Sequence, residues 1–210
     1  VGSRVAPALG ARLGRDPSGA RPATLLAAEV VGWIGETNEG RGLVAEVVIG
    51  RRYSTRLLPR LMASSVGRKA AMEAGVSERL ARALGSRPSA VELEDALGAT
   101  LHLASETAWL PSLEGELLRL VAPIIAADGG ANLGTPALHA AEICSLVARR
   151  GTYGLRALKD ARLFDVVGDA LRAAVFVGFD GRRGSRRLKV LTGILDRALR
   201  SDEATVEARR

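Results

Sequence analysis

Apolar positions along the chain recur at the three-to-four-residue interval of a helix and seldom at the alternation of a strand. Between Ala23 and Gly35, Leu25, Leu26, Val30 and Ile34 carry this period. The Val-rich run Leu43 to Ile49 is short enough to suit either state, and its neighbours favour helix. A helix is expected over Thr55 to Ser65, with Pro59 early enough to sit in the first turn, where its missing N–H costs nothing. Another follows over Met72 to Leu84, with Val76, Leu80 and Leu84 on one face.

Punctuation is clearer further on. Ser89 and Glu92 have the spacing of a capping box and open a helix through Leu93, Leu97, Leu101 and Ala104. Pro111 and Ser112 open the next, with Leu113, Leu117, Leu120, Val121 and Ile124 inward, and Asp128 to Asn132 break the chain. Thr135 then caps a helix with Pro136 at its first position, running to Arg150 with Gly151 as its stop. Lys159 to Val177 reads as one helix, with Leu163, Phe164, Val167, Leu171 and Val175 apolar. Gly178 to Gly184 is a turn, and Ser185 begins a last helix through Leu188, Leu191, Ile194, Leu195 and Leu199. This organisation predicts a flexible segment 1–22, a helical-repeat domain 23–200 and a polar tail 201–210.

The helices are each one hairpin arm long, and part of the sequence recurs. Leu26-Ala27-Ala28-Glu29-Val30 matches His139-Ala140-Ala141-Glu142-Ile143, and units begin near Ala23, Ser89, Thr135 and Ser185. Spacings of about 45 residues suit two-helix repeats. The expected fold class is all-α, an α-solenoid of antiparallel helical hairpins, with an irregular helical bundle as the alternative.

Composition supports helices. Apolar residues make up 47% of the chain but aromatics only 3%, so the core must be Ala, Leu and Val packed at short range. The single Cys144 excludes an internal disulfide. No apolar stretch reaches about 18 residues, so no transmembrane helix is expected. Val1 to Arg15 holds Arg4, Arg12 and Arg15 and no acid. That pattern suits the remains of an organelle transit peptide or an ordinary flexible tail.

Charge changes the picture more. The net charge of +7 is unevenly spread. Residues 1–50 are neutral and 51–87 carry nine basic against two acidic side chains. Residues 88–148 carry one basic against eight acidic, and 149–210 carry fifteen against eight. Two basic blocks flank an acidic one, which points to polyanion partners for the first and a basic protein neighbour for the second. Three arginine-rich clusters fall at hairpin turns: Arg51, Arg52, Arg56 and Arg60; Arg149, Arg150, Arg156, Lys159 and Arg162; and Arg182, Arg183, Arg186, Arg187 and Lys189. Equivalent turns of a solenoid line one edge, so these residues form a candidate stripe for a phosphate backbone. A solvated basic face is the simpler alternative. Few aromatics are left to stack on bases, so phosphate and shape contacts to structured RNA are expected.

The stretch Ala137 to Gly151, followed by Leu163-Phe164-Asp165-Val166-Val167-Gly168-Asp169-Ala170-Leu171, resembles the octotricopeptide and heptatricopeptide repeats of organelles, also found in FAST-kinase-like proteins. In those repeats a first helix of small residues ends near a Gly, and the second opens with a Leu-Phe pair. Leu97 to Ala108 with Leu113 to Val121 fits more loosely. The resemblance implies an α-solenoid in a mitochondrion, or alternatively a plastid or the cytoplasm, associated with rRNA as part of a ribosome. The C-terminal RAP domain that often accompanies such repeats is not apparent, which favours a structural subunit. An accessory subunit of another organellar complex, such as a respiratory one, is the alternative.

Catalytic chemistry is sparse. His102 and His139 each lack a His or Cys at metal-ligand spacing, Cys144 lacks a base, and no Gly-Lys-Ser/Thr loop occurs. Glu92, Glu94 and Asp95 lie in a helix first turn, where acids complement the dipole. No catalytic residue, metal site or cofactor is expected, and the chain is read as a non-enzyme.

Overall fold

The computed structural model describes residues 2–106, 116–127, 135–177 and 189–200, and no strand occurs among them. The chain divides into two compact units, Val1–Leu103 and Ala104–Arg210.

The first unit contains α1 (Gly2–Arg15), α2 (Pro22–Trp33), α3 (Asn38–Ile49), a 3-10 turn (Thr55–Leu57), α4 (Leu58–Leu61), α5 (Ser65–Glu73), α6 (Val76–Gly85) and most of α7 (Ala90–Ala104). Helix α2 lies at its centre, packed on α1, α3, α4 and α5. Its inward face is small: Ala27, Ala28, Val31 and Gly32 are buried, so backbones approach closely. At Gly32 an added Cβ would lie 2.1 Å from the Leu61 carbonyl oxygen; at Gly67, 2.0 Å from the same atom. Two glycines from different helices therefore seat one carbonyl.

Segment 1–22 departs from expectation, since its first part is a helix. Ala6 and Leu13, seven residues apart on one face, are buried against the rest of the unit, which outweighs Pro7 inside the helix and the glycines around it. The run 43–49 is helical, as its neighbours suggested. The expected helix over 55–65 is a 3-10 turn and one α turn. The helix expected over 72–84 is two, separated where Gly75 turns with φ of 80°. The capping box forms: Glu92 accepts from the Ser89 N–H at 3.0 Å, and Ser89 Oγ accepts from the Glu92 N–H at 3.3 Å.

The second unit contains α8 (Glu116–Ala127), α9 (Thr135–Ala148), α10 (Thr152–Asp160), α11 (Leu163–Val177) and α12, spanning 189–200. Helix α8 packs on α9 and α11, and α10 bridges α9 and α11. Leu118, Val121, Ile125, Ala140, Ala141, Cys144, Val147, Leu158 and Val167 form its core. Helix α10 is unforeseen, and the helix expected from Lys159 begins at Leu163. Arg162, with φ of 55°, separates the two. Leu163 and Val167 are buried, whereas Phe164 and Leu171 are only half-buried. The expected helix start at Pro111-Ser112, the break at Asp128 to Asn132, the turn Gly178 to Gly184 and the tail 201–210 lie outside the described residues.

The internal repeat is reproduced in burial. A shift of 113 residues places Ala27, Ala28, Val31 and Gly32 of α2 on Ala140, Ala141, Cys144 and Ser145 of α9, and all eight are buried. The same shift pairs Ile34 with Val147, whose carbonyls have the same role. A Cβ on Gly40 would meet Ile34 O at 1.9 Å, and one on Gly154 would meet Val147 O at 1.9 Å. Gly40, Gly67 and Gly154 are each the third residue of a helix, pressed on a carbonyl at the end of the helix before. In the first two corners a hydroxyl three residues earlier caps the glycine N–H, Thr37 at 3.0 Å and Ser64 at 2.9 Å. In the third, that place is taken by Gly151, which has no side chain to offer.

Candidate nucleic-acid interface

The first arginine cluster is compensated at two of its four members, Arg52 and Arg60. Arg51, Arg52, Arg56 and Arg60 are all exposed. Arg52 pairs with Glu46 and lies 4.8 Å from the Tyr53 ring centroid; Glu46 also accepts from the Tyr53 hydroxyl at 2.8 Å. Arg60 reaches Glu29 at 3.7 Å. Arg56 faces Asp95, whose carboxyl is pushed up by burial more than the arginine lowers it. Sequence reasoning missed Arg79 on α6, a basic residue with a structural task. Its guanidinium donates to the carbonyls of Val48 at 2.8 Å and Gly50 at 3.3 Å, and to those of Val47 and Tyr53. That fan closes the end of α3 and fixes the loop that carries Arg51 and Arg52.

The second cluster is different. Arg149, Arg156, Lys159 and Arg162 are exposed and make no ion pair among the described residues. Arg156 and Lys159 lie on α10, whose nine residues span about 14 Å, and Arg149 and Arg162 lie in the turns before and after it. Asp160 and Asp165 are the exposed acids beside them. Arg150, grouped with these from the sequence, is half-buried; its guanidinium donates to Ser105 O at 2.8 Å and Ala104 O at 3.4 Å. Its charge is engaged with protein, so it is withdrawn from the phosphate-facing set. Tyr153, in the first turn of α10, is 50% exposed. Exposed aromatics are few, as the composition suggested, and Tyr153 is one of them. The signal lay in Gly154, Ala157 and Leu158: once these are inward on a helix, Tyr153 falls at the edge of the buried face.

Of the third cluster, Lys189 is exposed at the start of the described part of α12, while Arg182, Arg183, Arg186 and Arg187 lie outside the described residues. The acidic block is partly used internally: Glu92 serves the cap at Ser89, and Asp95 faces Arg56. Glu94 and Glu116 are exposed.

Cys144 is fully buried and its thiol is pushed up to about 12, so it holds its proton at neutral pH. Burial, and then Arg68, lower the pKa of His102. His139 Nδ1 is buried without a hydrogen-bond partner. Among the described residues no three His, Cys, Asp or Glu side chains gather as a metal set, and no helix is long and apolar enough to cross a membrane.

No family model and no curated protein matches the sequence. The fold is similar to a crystal structure titled as that of an engineered protein, at 13% identity and a TM-score of 0.55, covering 93% of this chain and 98% of that one. At that identity the likeness concerns fold alone.

Proposed function

We propose that the chain is a non-catalytic α-solenoid scaffold that grips RNA through its phosphates, as a structural subunit of an organellar ribonucleoprotein such as a mitochondrial ribosome. The observation that carries the RNA contact is the row Arg149, Arg156, Lys159 and Arg162, exposed and unpaired among the described residues along one short helix. Four like charges held side by side repel one another, and a polyanion is the ligand that relieves them. The solenoid reading draws on the shared corner geometry and on the burial pattern common to α2 and α9. The organellar setting draws on the repeat resemblance, and the exposed acids Glu94 and Glu116 suit a basic protein neighbour.

The test replaces Arg149, Arg156, Lys159 and Arg162 together by Gln and follows binding of a labelled structured RNA by anisotropy between about 50 and 200 mM salt. The wild-type affinity should fall steeply with salt. The variant should bind more weakly, with a log–log slope shallower by about 3 if all four residues meet phosphates. An unchanged slope removes this row from the interface. A protein–protein scaffold is the second reading, favoured by Leu26 and Trp33, seven residues apart on α2 and exposed by 60% and 56%. Equal competition by structured RNA and polyglutamate would leave only non-specific charge attraction at the basic row.

A further inference from the structure

We infer that Thr152, the first residue of α10, is phosphorylated by an arginine-directed Ser/Thr kinase, and that the phosphoryl group weakens the hold of the basic row on RNA. The inference rests on the RNA reading above and adds its regulation.

The sequence carries Arg-Arg-x-Ser/Thr three times, once in each basic cluster: Arg51-Arg52-Tyr53-Ser54, Arg149-Arg150-Gly151-Thr152 and Arg182-Arg183-Gly184-Ser185. Guanidiniums two and three residues before a hydroxyl are the charge pattern that the acidic substrate groove of such a kinase selects. The third copy lies outside the described residues, and the structure separates the other two. Ser54 is held. Its N–H donates to Pro17 O at 2.8 Å and its Oγ accepts from the Arg56 N–H at 3.2 Å. Tyr53 beside it is buried, and Arg79 binds the Tyr53 carbonyl. A kinase groove takes its substrate extended, and this loop cannot be drawn out without breaking those bonds.

Thr152 is placed otherwise. It is exposed, its hydroxyl makes no hydrogen bond among the described residues, and Arg149 three residues before it is exposed as well. The corner that carries it has Gly151 where the other two corners have a capping hydroxyl. Drawing it out releases Arg150 from the carbonyls of Ala104 and Ser105, and no cap has to let go. Glycine itself extends without strain. In the transfer, Thr152 Oγ1 attacks the γ-phosphorus of a nucleoside triphosphate. The new O–P bond forms as the bond from that phosphorus to the β–γ bridging oxygen breaks. The hydroxyl proton goes to the catalytic carboxylate of the kinase, and the nucleoside diphosphate leaves.

The product puts a charge of about −1.5 to −2 into the basic row. Arg149 stands three residues before it and Arg156 four after it, and neither has an ion pair among the described residues. A phosphoryl group on the chain itself occupies the two guanidiniums that would otherwise meet RNA phosphates, and it repels the RNA backbone besides.

The full chain, carrying Ser185→Ala to remove the third motif, is treated with magnesium ATP and the catalytic subunit of cAMP-dependent protein kinase. The modified residue is located by tandem mass spectrometry. Thr152 should be modified well ahead of Ser54, Thr152→Ala should abolish that modification, and Arg149→Gln should slow it. In the anisotropy assay with structured RNA, the modified protein should bind on the order of tenfold more weakly, with a log–log salt slope shallower by about 2. Thr152→Ala should bind as the unmodified protein does, whether or not the kinase is present. The site is overturned if Thr152 stays unmodified or if Ser54 is modified as fast. The switch is overturned if the modified protein keeps the affinity and slope of the unmodified one, or if modification lowers the helical circular dichroism signal, since weaker binding would then be unfolding. The RNA reading survives each of these results. If the unmodified protein binds no RNA, that reading falls and takes the switch with it, while the labelling still decides the site.

Discussion

Gly32 and Gly67 offer the most severe test of the packing described above. Glycine inside a helix ordinarily costs about 0.5–1 kcal/mol relative to alanine, so Gly→Ala on an open helix face stabilises. Gly42 on α3 is such a position, with nothing within 4 Å of an added Cβ. Gly32→Ala places its methyl 2.1 Å from the Leu61 carbonyl oxygen, and Gly67→Ala places one at 2.0 Å, where real contacts begin at 3.0 Å. The missing space is about 1 Å, and the obstructing atom is backbone, which no rotamer change can move aside. Overpacking of this kind costs about 1–3 kcal/mol, and a backbone obstacle puts the cost at the upper end. After the propensity gain is subtracted, each substitution should destabilise by about 2 kcal/mol, whereas Gly42→Ala should gain about 0.5–1 kcal/mol.

For a chain of this size, 2 kcal/mol corresponds to a fall in melting temperature of about 4–8 °C. Urea unfolding followed by far-UV circular dichroism gives the same comparison through the midpoint. The two substitutions displace the same carbonyl, so the double variant should depart from additivity by about 0.5 kcal/mol or more. Wild-type stability in Gly32→Ala, or a loss in Gly42→Ala equal to that in Gly32→Ala, would refute the close crossing of α2 with the end of α4.

Three further outcomes follow from single residues. Arg79→Leu strips the donors from buried carbonyls at the end of α3 and should cost about 3 kcal/mol in urea unfolding, while exposed Arg82→Ala should stay within about 0.5 kcal/mol. Asp16 accepts from the Ser18 and Thr24 hydroxyls and the Ala20 and Arg21 amides, chiefly from Ser18, and these bonds hold its carboxyl well below its usual range. Its contribution is therefore full above pH 4 and is lost as pH falls towards the depressed value, so acid should lower the wild-type melting temperature more than that of Asp16→Asn. Arg162 holds a left-handed conformation that favours glycine, so Arg162→Gly should raise stability by about 0.5 kcal/mol while weakening RNA binding, two readouts that move in opposite directions.

The sequence made helices legible wherever their signals were local. The Ser89–Glu92 box and the Leu93, Leu97 period need only neighbours three and four residues away, and both are found in the structure. What local reading misjudged was where helices break. Gly75 and Arg162 reverse the chain with positive φ, and Arg162 is a residue type that gives no such warning. Helix α1 was illegible for the opposite reason: its sequence is poor for a helix, and only the burial of Ala6 and Leu13 against other parts of the unit holds it.

The corner glycines explain why the candidate surface was only half legible. Ile34-x-x-Thr37-x-x-Gly40 and Leu61-x-x-Ser64-x-x-Gly67 are the same device: an aliphatic carbonyl, a capping hydroxyl three residues on, and a glycine three beyond that. Val147 to Gly154 carries one residue more and replaces the hydroxyl with Gly151, so the repeat is hidden from a comparison at fixed spacing. Without that corner α10 goes unrecognised. Its basic residues can then be listed but not assigned to a face, and Tyr153 has no direction at all. Once Gly154 is seen pressed on Val147, the helical period sends Ala157 and Leu158 inward, Arg156 and Lys159 outward and Tyr153 to the edge between them. The charge cluster was written in composition; the surface that it forms depends on one close glycine contact.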